Sequence, residues 1–242
     1  MPPQPFDRKA DMSVTLNCAS KYARVGAGFY ARCGKRALDF TLSAFGLIVL
    51  APFLLLICCC IKFVSGGPVL FRQSRVGKDG RLFQILKFRS MVADSAKRGL
   101  EITVSGDHRI TAIGRVLRRY KIDELPQLWN VLRGDMSLVG PRPELPVYVD
   151  LYTPEQREVL CVRPGITDPA SLYYRDEERL LQGSPDPAQL YCEIIMRHKL
   201  SLNLEYIENI AWANDILLIS STIKSLFLPF RKGKNERRLK RV

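Results

Sequence analysis

The chain has 242 residues and a formal net charge of +13, and hydrophobic residues make up 47% of it. This length allows one domain of moderate size together with a membrane segment. The positive charge is concentrated in residues 1–36 and 231–242, which contain no RRM, zinc-finger or basic-region motif. We therefore expect no nucleic-acid partner. Contact between the basic ends and anionic lipids is the favoured interpretation, and a merely solvated tail is the alternative.

The first predicted elements are a loose polar arm at residues 1–31 and a membrane segment at residues 32–63. The membrane segment is predicted because residues 40–61 form a run of 22 positions without a charge. About 20 apolar residues are enough to cross the hydrocarbon core of a bilayer. Pro52 lies near the middle of the run and is predicted to bend or break the helix, because proline lacks an N–H group and its ring clashes with the preceding turn.

The position of Pro52 favours a hairpin that enters and leaves the membrane on the same side. The two arms would be about 18 Å and 15 Å long, and neither crosses about 30 Å of hydrocarbon alone. Lys35 and Arg36 precede the run and Lys62 follows it, and cytoplasmic flanks carry the excess of Lys and Arg. We therefore predict a re-entrant hairpin with both ends in the cytoplasm. An ordinary spanning helix kinked at proline is the alternative.

Residues 64–230 are predicted to form a catalytic domain, and residues 231–242 a basic C-terminal tail. Two apolar runs around the GKDG turn at residues 77–80 predict a small β-hairpin. A short helix after Asp123 is expected to end at Gly134, and further helices are predicted at residues 90–98, 154–160 and 187–210. Residues 216–230 are predicted to form an amphipathic surface helix, with an ordinary core helix as the alternative. The fold class is therefore α+β and mostly helical.

The acidic pair Asp123 and Glu124 has two interpretations. The structural one is helix capping, because carboxylates favour the first turn of a helix. The functional one is a site that uses Mg²⁺ to act on an anionic substrate, in which one carboxylate attacks and the other holds metal or orients its neighbour. Basic residues crowd the surrounding sequence, including Arg118 and Arg142, and such residues neutralise phosphate oxygens.

Two further basic positions are candidates for phosphate binding. Arg142 lies between Pro141 and Pro143, whose fixed φ angles would hold the arginine on a stiff backbone. Lys87 lies at the end of a predicted strand. Each of these features taken alone is also compatible with an ordinary turn or a solvated strand end.

Four motifs, in order, closely resemble those of the bacterial sugar transferase family, the small monotopic phosphoglycosyl transferases. They are GPVLFRQSRVG at 67–77, KFRSM at 87–91, DELPQLWNVLRGDMSLVGPRP at 123–143 and RPGIT at 163–167. The resemblance covers about residues 32–225 and corresponds to the minimal catalytic form of the family.

The resemblance implies a reaction and a location. Family members transfer a sugar-1-phosphate from a UDP-sugar to undecaprenyl phosphate and release UMP, as the first membrane step of glycan assembly. It implies that Asp123 is the nucleophile that forms a covalent phosphosugar intermediate. Glu124 would support Mg²⁺ binding and orientation, with Asp123 as the other predicted Mg²⁺ ligand. Lys87, Arg118 and Arg142 would surround the phosphates and nucleotide. It also implies a re-entrant helix broken at Pro52, a location on the cytoplasmic face of the bacterial inner membrane, and downstream glycosyltransferases as partners.

The chain departs from the family pattern in its second half. Asp168 follows the RPGIT motif where many relatives continue with glycine, and Asp176 begins an acidic run. Asn203 occupies a position where an acidic residue is expected. Two other classes of function stay open at this point: a non-catalytic membrane-surface module, which would release no UMP, and a nucleic-acid binder, which would show salt-sensitive retention.

Overall fold

A computed structural model of the chain describes residues 30–65, 67–92, 107–182 and 184–227. Nearly all of the predicted N-terminal arm, the basic tail at 231–242 and most of the helix predicted at 90–98 lie outside the described residues. The described part is mostly helical, as predicted, and contains two small sheets.

The named elements follow one another along the chain, with short 3₁₀ or π-helical turns between some of them. They are α1 (Lys35–Ser65), β1 (Leu70–Val76), β2 (Leu82–Phe88), α2 (Ala112–Arg119), α3 (Gln127–Arg133), β3 (Ser137–Val139), α4 (Pro146–Val149), β4 (Gly165–Thr167), α5 (Pro169–Tyr173), α6 (Glu177–Gln182), α7 (Pro187–Leu190), α8 (Met196–Glu208) and α9 (Trp212–Phe227).

The apolar segment is a single α-helix of 31 residues, with Pro52 inside it. It is long and apolar enough to cross a membrane. The helix continues through Pro52, so the two predicted arms are joined by helical backbone. We call α1 the anchor helix.

The anchor helix contacts the rest of the protein near its two ends and is exposed in the middle. Ser43 in its first half is fully buried, and Ile57 and Ile61 in its second half are 6% and 0% exposed. Between them, Ile48 is 74% exposed and Phe53 is 42% exposed. The stretch around Pro52 is therefore exposed between two parts of the helix that contact the domain.

The start of the anchor helix is tied to α9 by a buried carboxylate. Lys35 Nζ lies 2.5 Å from Asp215 Oδ2, and Asp215 is 1% exposed. The hydroxyl groups of Tyr30 and Tyr206 also donate to this carboxylate, at 2.5 and 2.6 Å. The charge of Lys35, which the sequence suggested as a membrane flank, is thus neutralised within the protein.

The next turn of the anchor helix contacts α3 and β3. Arg36 donates to the last carbonyl groups of α3, at Val131 (2.6 Å) and Leu132 (2.8 Å). Asp39 Oδ1 accepts from the backbone N–H of Leu138 at 2.9 Å. Cations stabilise helix C-termini by satisfying unpaired carbonyl groups and by opposing the helix dipole. The anchor therefore docks through specific polar contacts as well as through apolar packing.

The predicted β-hairpin is confirmed, and its second strand ends at the site described below. β1 and β2 pair in antiparallel register from Leu70 opposite Phe88 to Val76 opposite Leu82. Ile85 and Phe88 point to opposite faces of the hairpin and are both buried, in two different hydrophobic clusters. Phe88 packs with Ile57 and Ile61, so the hairpin rests against the second half of the anchor helix.

A second sheet, which the sequence did not predict, consists of two short parallel strands. β3 and β4 pair Ser137 with Gly165. The backbones come so close that a Cβ on Gly165 would lie 2.1 Å from the Gly140 nitrogen. The N–H of Gly165 donates to the carbonyl of Pro141 at 2.9 Å. Only glycine fits this approach, which fixes the loop that follows β3.

The C-terminal helices form the main core and one partly exposed face. The principal hydrophobic cluster includes Val139, Tyr174, Ile195 and Leu200, which come from β3, the chain just after α5, the turn before α8 and α8 itself. The predicted helix at 187–210 appears as α7, a π-helical turn and α8, whereas the segment predicted at 154–160 is a 3₁₀ turn at Gln156–Cys161.

The last described helix, α9, begins four residues before its predicted start. Three of its apolar residues, Trp212, Leu217 and Ile223, are 65%, 64% and 52% exposed. Its opposite side contacts α5 and β3. It is thus packed on one side and apolar on part of its exposed side, as an amphipathic surface helix requires.

Candidate active site

The acidic pair lies on a 3₁₀ turn, Ile122–Glu124, that joins α2 to α3. The backbone N–H of Glu124 donates to the carbonyl of Lys121 at 3.1 Å. Asp123 is 6% exposed and Glu124 is 7% exposed. The helix that follows ends at Gly134, as predicted, in a left-handed conformation with φ 91°. Two carboxylates this deeply buried need partners, because burial strongly disfavours an isolated charge.

Glu124 has such partners in Lys87 and Arg142. Lys87, near the end of β2, places Nζ 3.1 Å from Glu124 Oε1. Arg142 grips both carboxylate oxygens, with Nη1 3.2 Å from Oε2 and Nη2 in contact with Oε1. Burial alone would raise the pKa of Glu124, but the charges of Arg142 and Lys87 outweigh it and hold that pKa well below its usual range. Glu124 is therefore a fixed anion.

Asp123 has a different environment. Its Oδ1 atom is buried and has no hydrogen-bond partner among the described residues. Burial, followed by the neighbouring charge of Glu124, raises the pKa of Asp123, while Lys87 and Lys121 oppose the shift. An unpaired oxygen on a poorly solvated carboxylate is more reactive toward an electrophile than one held by hydrogen bonds. The geometry thus distinguishes the two acids.

Arg118, the third predicted basic residue, lies on α2 beside the pair. Its charge acts on Asp123 and helps to oppose the rise in its pKa. Its Nη1 atom lies 3.4 Å from Glu178 Oε1, on α6. Glu178 is half exposed, whereas the Nη1 atom of Arg118 is buried. The structure therefore brings Lys87, Arg118 and Arg142 together around the acidic pair.

The loop that carries Arg142 is fixed from behind by residues that the sequence analysis did not assign. Pro141 and Pro143 are buried on either side of it. Arg75 on β1 donates to the carbonyl of Pro143 at 3.1 Å and lies 3.6 Å from Glu144 Oε2. The buried hydroxyl of Tyr191 donates to Glu144 Oε1. No sequence motif contains these residues together, because they come from three distant parts of the chain.

The residues where the chain departs from the family pattern have separate environments. Asp168 is fully buried and caps α5, since its Oδ1 accepts from the N–H of Ser171 at 2.9 Å. Asp176 lies 3.9 Å from Arg179. Asn203 is 4% exposed, and its Oδ1 has no hydrogen-bond partner among the described residues.

Asn203 lines a cleft beside the acidic pair. The cleft is narrow: the space in it that the centre of a water molecule can occupy is about 30 Å³. Its polar lining includes Arg142, Glu144 and Lys199. Lys199 is itself paired with Glu177 at 2.8 Å. The cleft and the acidic pair share Arg142, so a ligand held by this arginine would have polar groups on two sides.

Mg²⁺ binding at the acidic pair stays a prediction. The described residues contain no group of three or more His, Cys, Asp or Glu side chains arranged to hold a metal ion. Proteins commonly bind Mg²⁺ through one or two carboxylates together with substrate phosphates, and of the two acids only Asp123 has an oxygen without a hydrogen-bond partner among the described residues. Both oxygens of Glu124 already face cations, so Glu124 as a direct ligand stays a prediction.

Comparison with known proteins gives a consistent set of relatives. The family model described as bacterial sugar transferase matches residues 30–229. The chain is 40% identical over 195 residues to the UDP-glucose:undecaprenyl-phosphate glucose-1-phosphate transferase of Caulobacter vibrioides, covering 79% of this chain and 69% of the relative.

Two other relatives differ in length. The exopolysaccharide production protein PSS of Rhizobium leguminosarum bv. phaseoli is 41% identical over 200 residues, covering 79% of this chain and 94% of the relative. The UDP-N-acetylgalactosamine-undecaprenyl-phosphate N-acetylgalactosaminephosphotransferase of Aeromonas hydrophila is 36% identical over 199 residues. The 199 aligned residues cover 81% of this chain but only 44% of that relative. With a family model that matches most of its length, and the acidic pair and its cations in one place, this chain belongs to the bacterial sugar transferase family.

Proposed function

We propose that the protein transfers a sugar-1-phosphate from a UDP-sugar to undecaprenyl phosphate and releases UMP. The observation that supports this most is the contrast between Asp123, with an unpaired buried oxygen, and Glu124, held by Lys87 and Arg142. The names of the relatives supply the substrate classes, since two of them are described as undecaprenyl-phosphate sugar phosphotransferases.

The first half of the reaction uses Asp123 as the nucleophile. A carboxylate oxygen of Asp123 attacks the β-phosphorus of the UDP-sugar, and the bond from that phosphorus to the bridging oxygen breaks. UMP leaves with the bridging oxygen, and the sugar phosphate stays on the carboxylate as a mixed anhydride. Phosphoryl transfer of this kind depends on positioning and on neutralisation of the phosphate oxygens.

The cations around the acidic pair suit that task. Arginine has five N–H donors, and Arg142 uses two of its groups on Glu124, so it retains donors for a phosphate oxygen. Lys87 and Arg118 add positive charge on the remaining sides. Glu124 then acts as a positioning residue, because it fixes the lysine and the arginine relative to Asp123. Bound Mg²⁺ would add further neutralisation of phosphate charge.

The second half regenerates the enzyme. A phosphate oxygen of undecaprenyl phosphate attacks the phosphorus of the adduct, and the Asp123 carboxylate leaves. The product is a lipid diphosphate sugar, and no water enters the reaction. The mechanism therefore requires the acceptor to reach Asp123 from the membrane.

The exposure of the anchor helix supports a re-entrant course on the cytoplasmic face of the inner membrane. Both halves of α1 pack against the same domain, through Ser43 in the first half and Ile57 and Ile61 in the second. The exposed stretch around Pro52 lies between them. Such a helix would dip into one leaflet at its middle and keep the acidic pair near the lipid headgroups, where the acceptor phosphate lies.

The proposed function is tested by UMP release from a panel of UDP-sugars. The full chain, reconstituted with Mg²⁺ and undecaprenyl phosphate, should release UMP with at least one donor. Asp123→Asn should lose this activity, and Asp150→Asn, which removes an exposed carboxylate far along the sequence, should keep it. Normal turnover by Asp123→Asn would rule out the proposed nucleophile. A wild-type chain that binds membranes but releases no UMP with any donor would instead support a non-catalytic membrane-surface module.

A further inference from the structure

Lys121 has an unusual backbone for a lysine. Its φ and ψ are 56° and 19°, in the left-handed region, and the only other described non-glycine residue with positive φ is Asp79, in the hairpin turn. Its N–H donates to the carbonyl of Arg118 and its own carbonyl accepts from Glu124, both at 3.1 Å. This conformation favours glycine or asparagine, so the backbone gives no reason for a lysine at the entrance to the acidic pair. Strained residues of this kind cluster at functional sites.

The charge of Lys121 differs from those of the other cations around the pair. Lys87 and Arg142 are engaged by Glu124, and Arg118 lies against Glu178. The side chain of Lys121 is exposed, and its ammonium group has no ion pair or hydrogen bond among the described residues. Its positive charge nevertheless acts on the carboxylates of both Asp123 and Glu124. It is therefore a solvent-accessible cation at the acidic pair with free hydrogen-bond donors.

The chain beside Lys121 contacts the anchor helix. The next residue, Ile122, packs against the cluster that contains Ile57 and Ile61 of the anchor. Lys87 and Arg142 approach the pair from other elements, the hairpin and the loop after β3. Lys121 is therefore an exposed cation beside the acidic pair and one residue away from a contact with the anchor helix.

We propose that Lys121 binds the phosphate of the polyprenyl acceptor and positions it for attack on the adduct at Asp123. The inference rests on the proposed function, since it names the residue that receives the second substrate of that reaction. The attack brings an anionic acceptor toward an anionic phosphosugar, so a cation near the incoming oxygen lowers the repulsion between them. Lysine suits this task as a mobile point charge that adapts to a headgroup without fixed orientation.

The two half-reactions separate this role from a role in donor binding. The test variant is Lys121→Asn, which removes the charge and keeps a residue that tolerates the left-handed backbone. In nanodiscs with Mg²⁺ and a UDP-sugar but no acceptor, the burst of UMP should fall less than threefold. With acceptor present, the KM for undecaprenyl phosphate should rise at least tenfold. Lys121→Arg should recover most of the loss.

Arg119→Asn is the matched control. It removes the same charge from the same segment, and Arg119 is exposed and lies over the ring of Tyr120 at 5.7 Å. We expect it to change the acceptor KM less than twofold. An equal rise of the acceptor KM in the two variants would overturn the inference. It would mean that the general positive charge of this segment, rather than Lys121 itself, attracts the acceptor.

Two further results would contradict the proposal. One is an acceptor KM in Lys121→Asn within twofold of the wild type. The other is a loss of the acceptor-free burst as large as the loss of turnover, which would assign Lys121 to the donor. If Lys121→Asn is poorly folded, Lys121→Gly gives the same comparison with a relaxed backbone.

Failure of the proposed function would be visible separately, as a wild-type chain that forms no UMP. In that case, native mass spectrometry of undecaprenyl phosphate bound to wild type and to Lys121→Asn still tests the site. Equal binding by the two proteins would refute it.

Discussion

Asp123 and Glu124 are adjacent in sequence but electrostatically different. Glu124 is held in its ionised form by two cations, whereas burial and the neighbouring anion raise the pKa of Asp123. Environments that separate the pKa values of paired acids commonly assign them different roles. Here the separation arises because Lys87 and Arg142 both direct their charge to the second residue of the pair.

Replacement of Arg142 by lysine tests whether the geometry of this contact matters in addition to its charge. Arg142→Lys keeps the charge but loses the two-pronged contact with Glu124, and such a substitution is not conservative at a bidentate site. We expect kcat for UMP release to fall at least tenfold, which corresponds to about 1.4 kcal/mol of transition-state free energy. Arg133→Lys, at an arginine 64% exposed on α3, serves as control. Equal activity of Arg142→Lys and wild type would show that charge alone suffices.

At the scale of elements, the contacts of the anchor helix connect it to the parts of the domain that carry the site. Arg36 contacts the end of α3, and Asp39 contacts β3, which leads to the loop of Arg142. α3 begins just after the acidic pair. The orientation of the anchor and the position of the site are therefore set by the same contacts, and a change in one is expected to affect the other.

The buried pair of Lys35 and Asp215 provides a test of that docking. Lys35→Met should leave Asp215 as an uncompensated buried anion and destabilise the protein by about 3–5 kcal/mol. Asp215→Asn in addition should recover part of the loss, because the anion is then gone. Thermal unfolding of the two single variants and the double variant, in one detergent, gives the coupling energy. Additive losses would mean that the two side chains do not interact in the protein.

The elements that were predicted correctly are those whose pattern lies within a few neighbouring residues of the sequence. The β-hairpin follows from two apolar runs around a glycine-rich turn, and the end of α3 follows from Gly134. The three-residue strands β3 and β4 are too short to show a periodic pattern, and their pairing depends on the contact between Gly140 and Gly165. Sequence order alone does not reveal such long-range contacts.

The site residues also divide into those that lie close together in the sequence, which were predicted, and those that meet only in the folded protein, which were missed. Asp123, Glu124 and Arg142 were predicted because acidic, basic and proline residues occur together in one stretch of sequence. Arg75 and Tyr191 were missed because they reach the site only through tertiary contacts with Pro143 and Glu144. The partner of Arg118 was likewise not readable from the sequence, since Glu178 lies on α6.

At the scale of the whole molecule, the proposal places both ends of the anchor helix on one side of the membrane. Two proteins with a single cysteine test it: one retains only Cys33, which is exposed just before α1, and the other carries only Arg81→Cys, in the hairpin after it. An impermeant maleimide should label both in inside-out vesicles and neither in intact spheroplasts. Labelling of the two positions from opposite sides would establish a spanning helix instead.

The central claim is that the protein carries the sugar phosphate on Asp123 between its two substrates, and mass spectrometry of the trapped protein tests it most directly. The full chain is incubated with Mg²⁺ and its UDP-sugar without acceptor, quenched in acid and digested. The account predicts a mass increase of one sugar phosphate on the peptide that contains Asp123, its loss when undecaprenyl phosphate is added, and no increase in Asp123→Asn. Turnover without any adduct, or an adduct on a different residue, would contradict it.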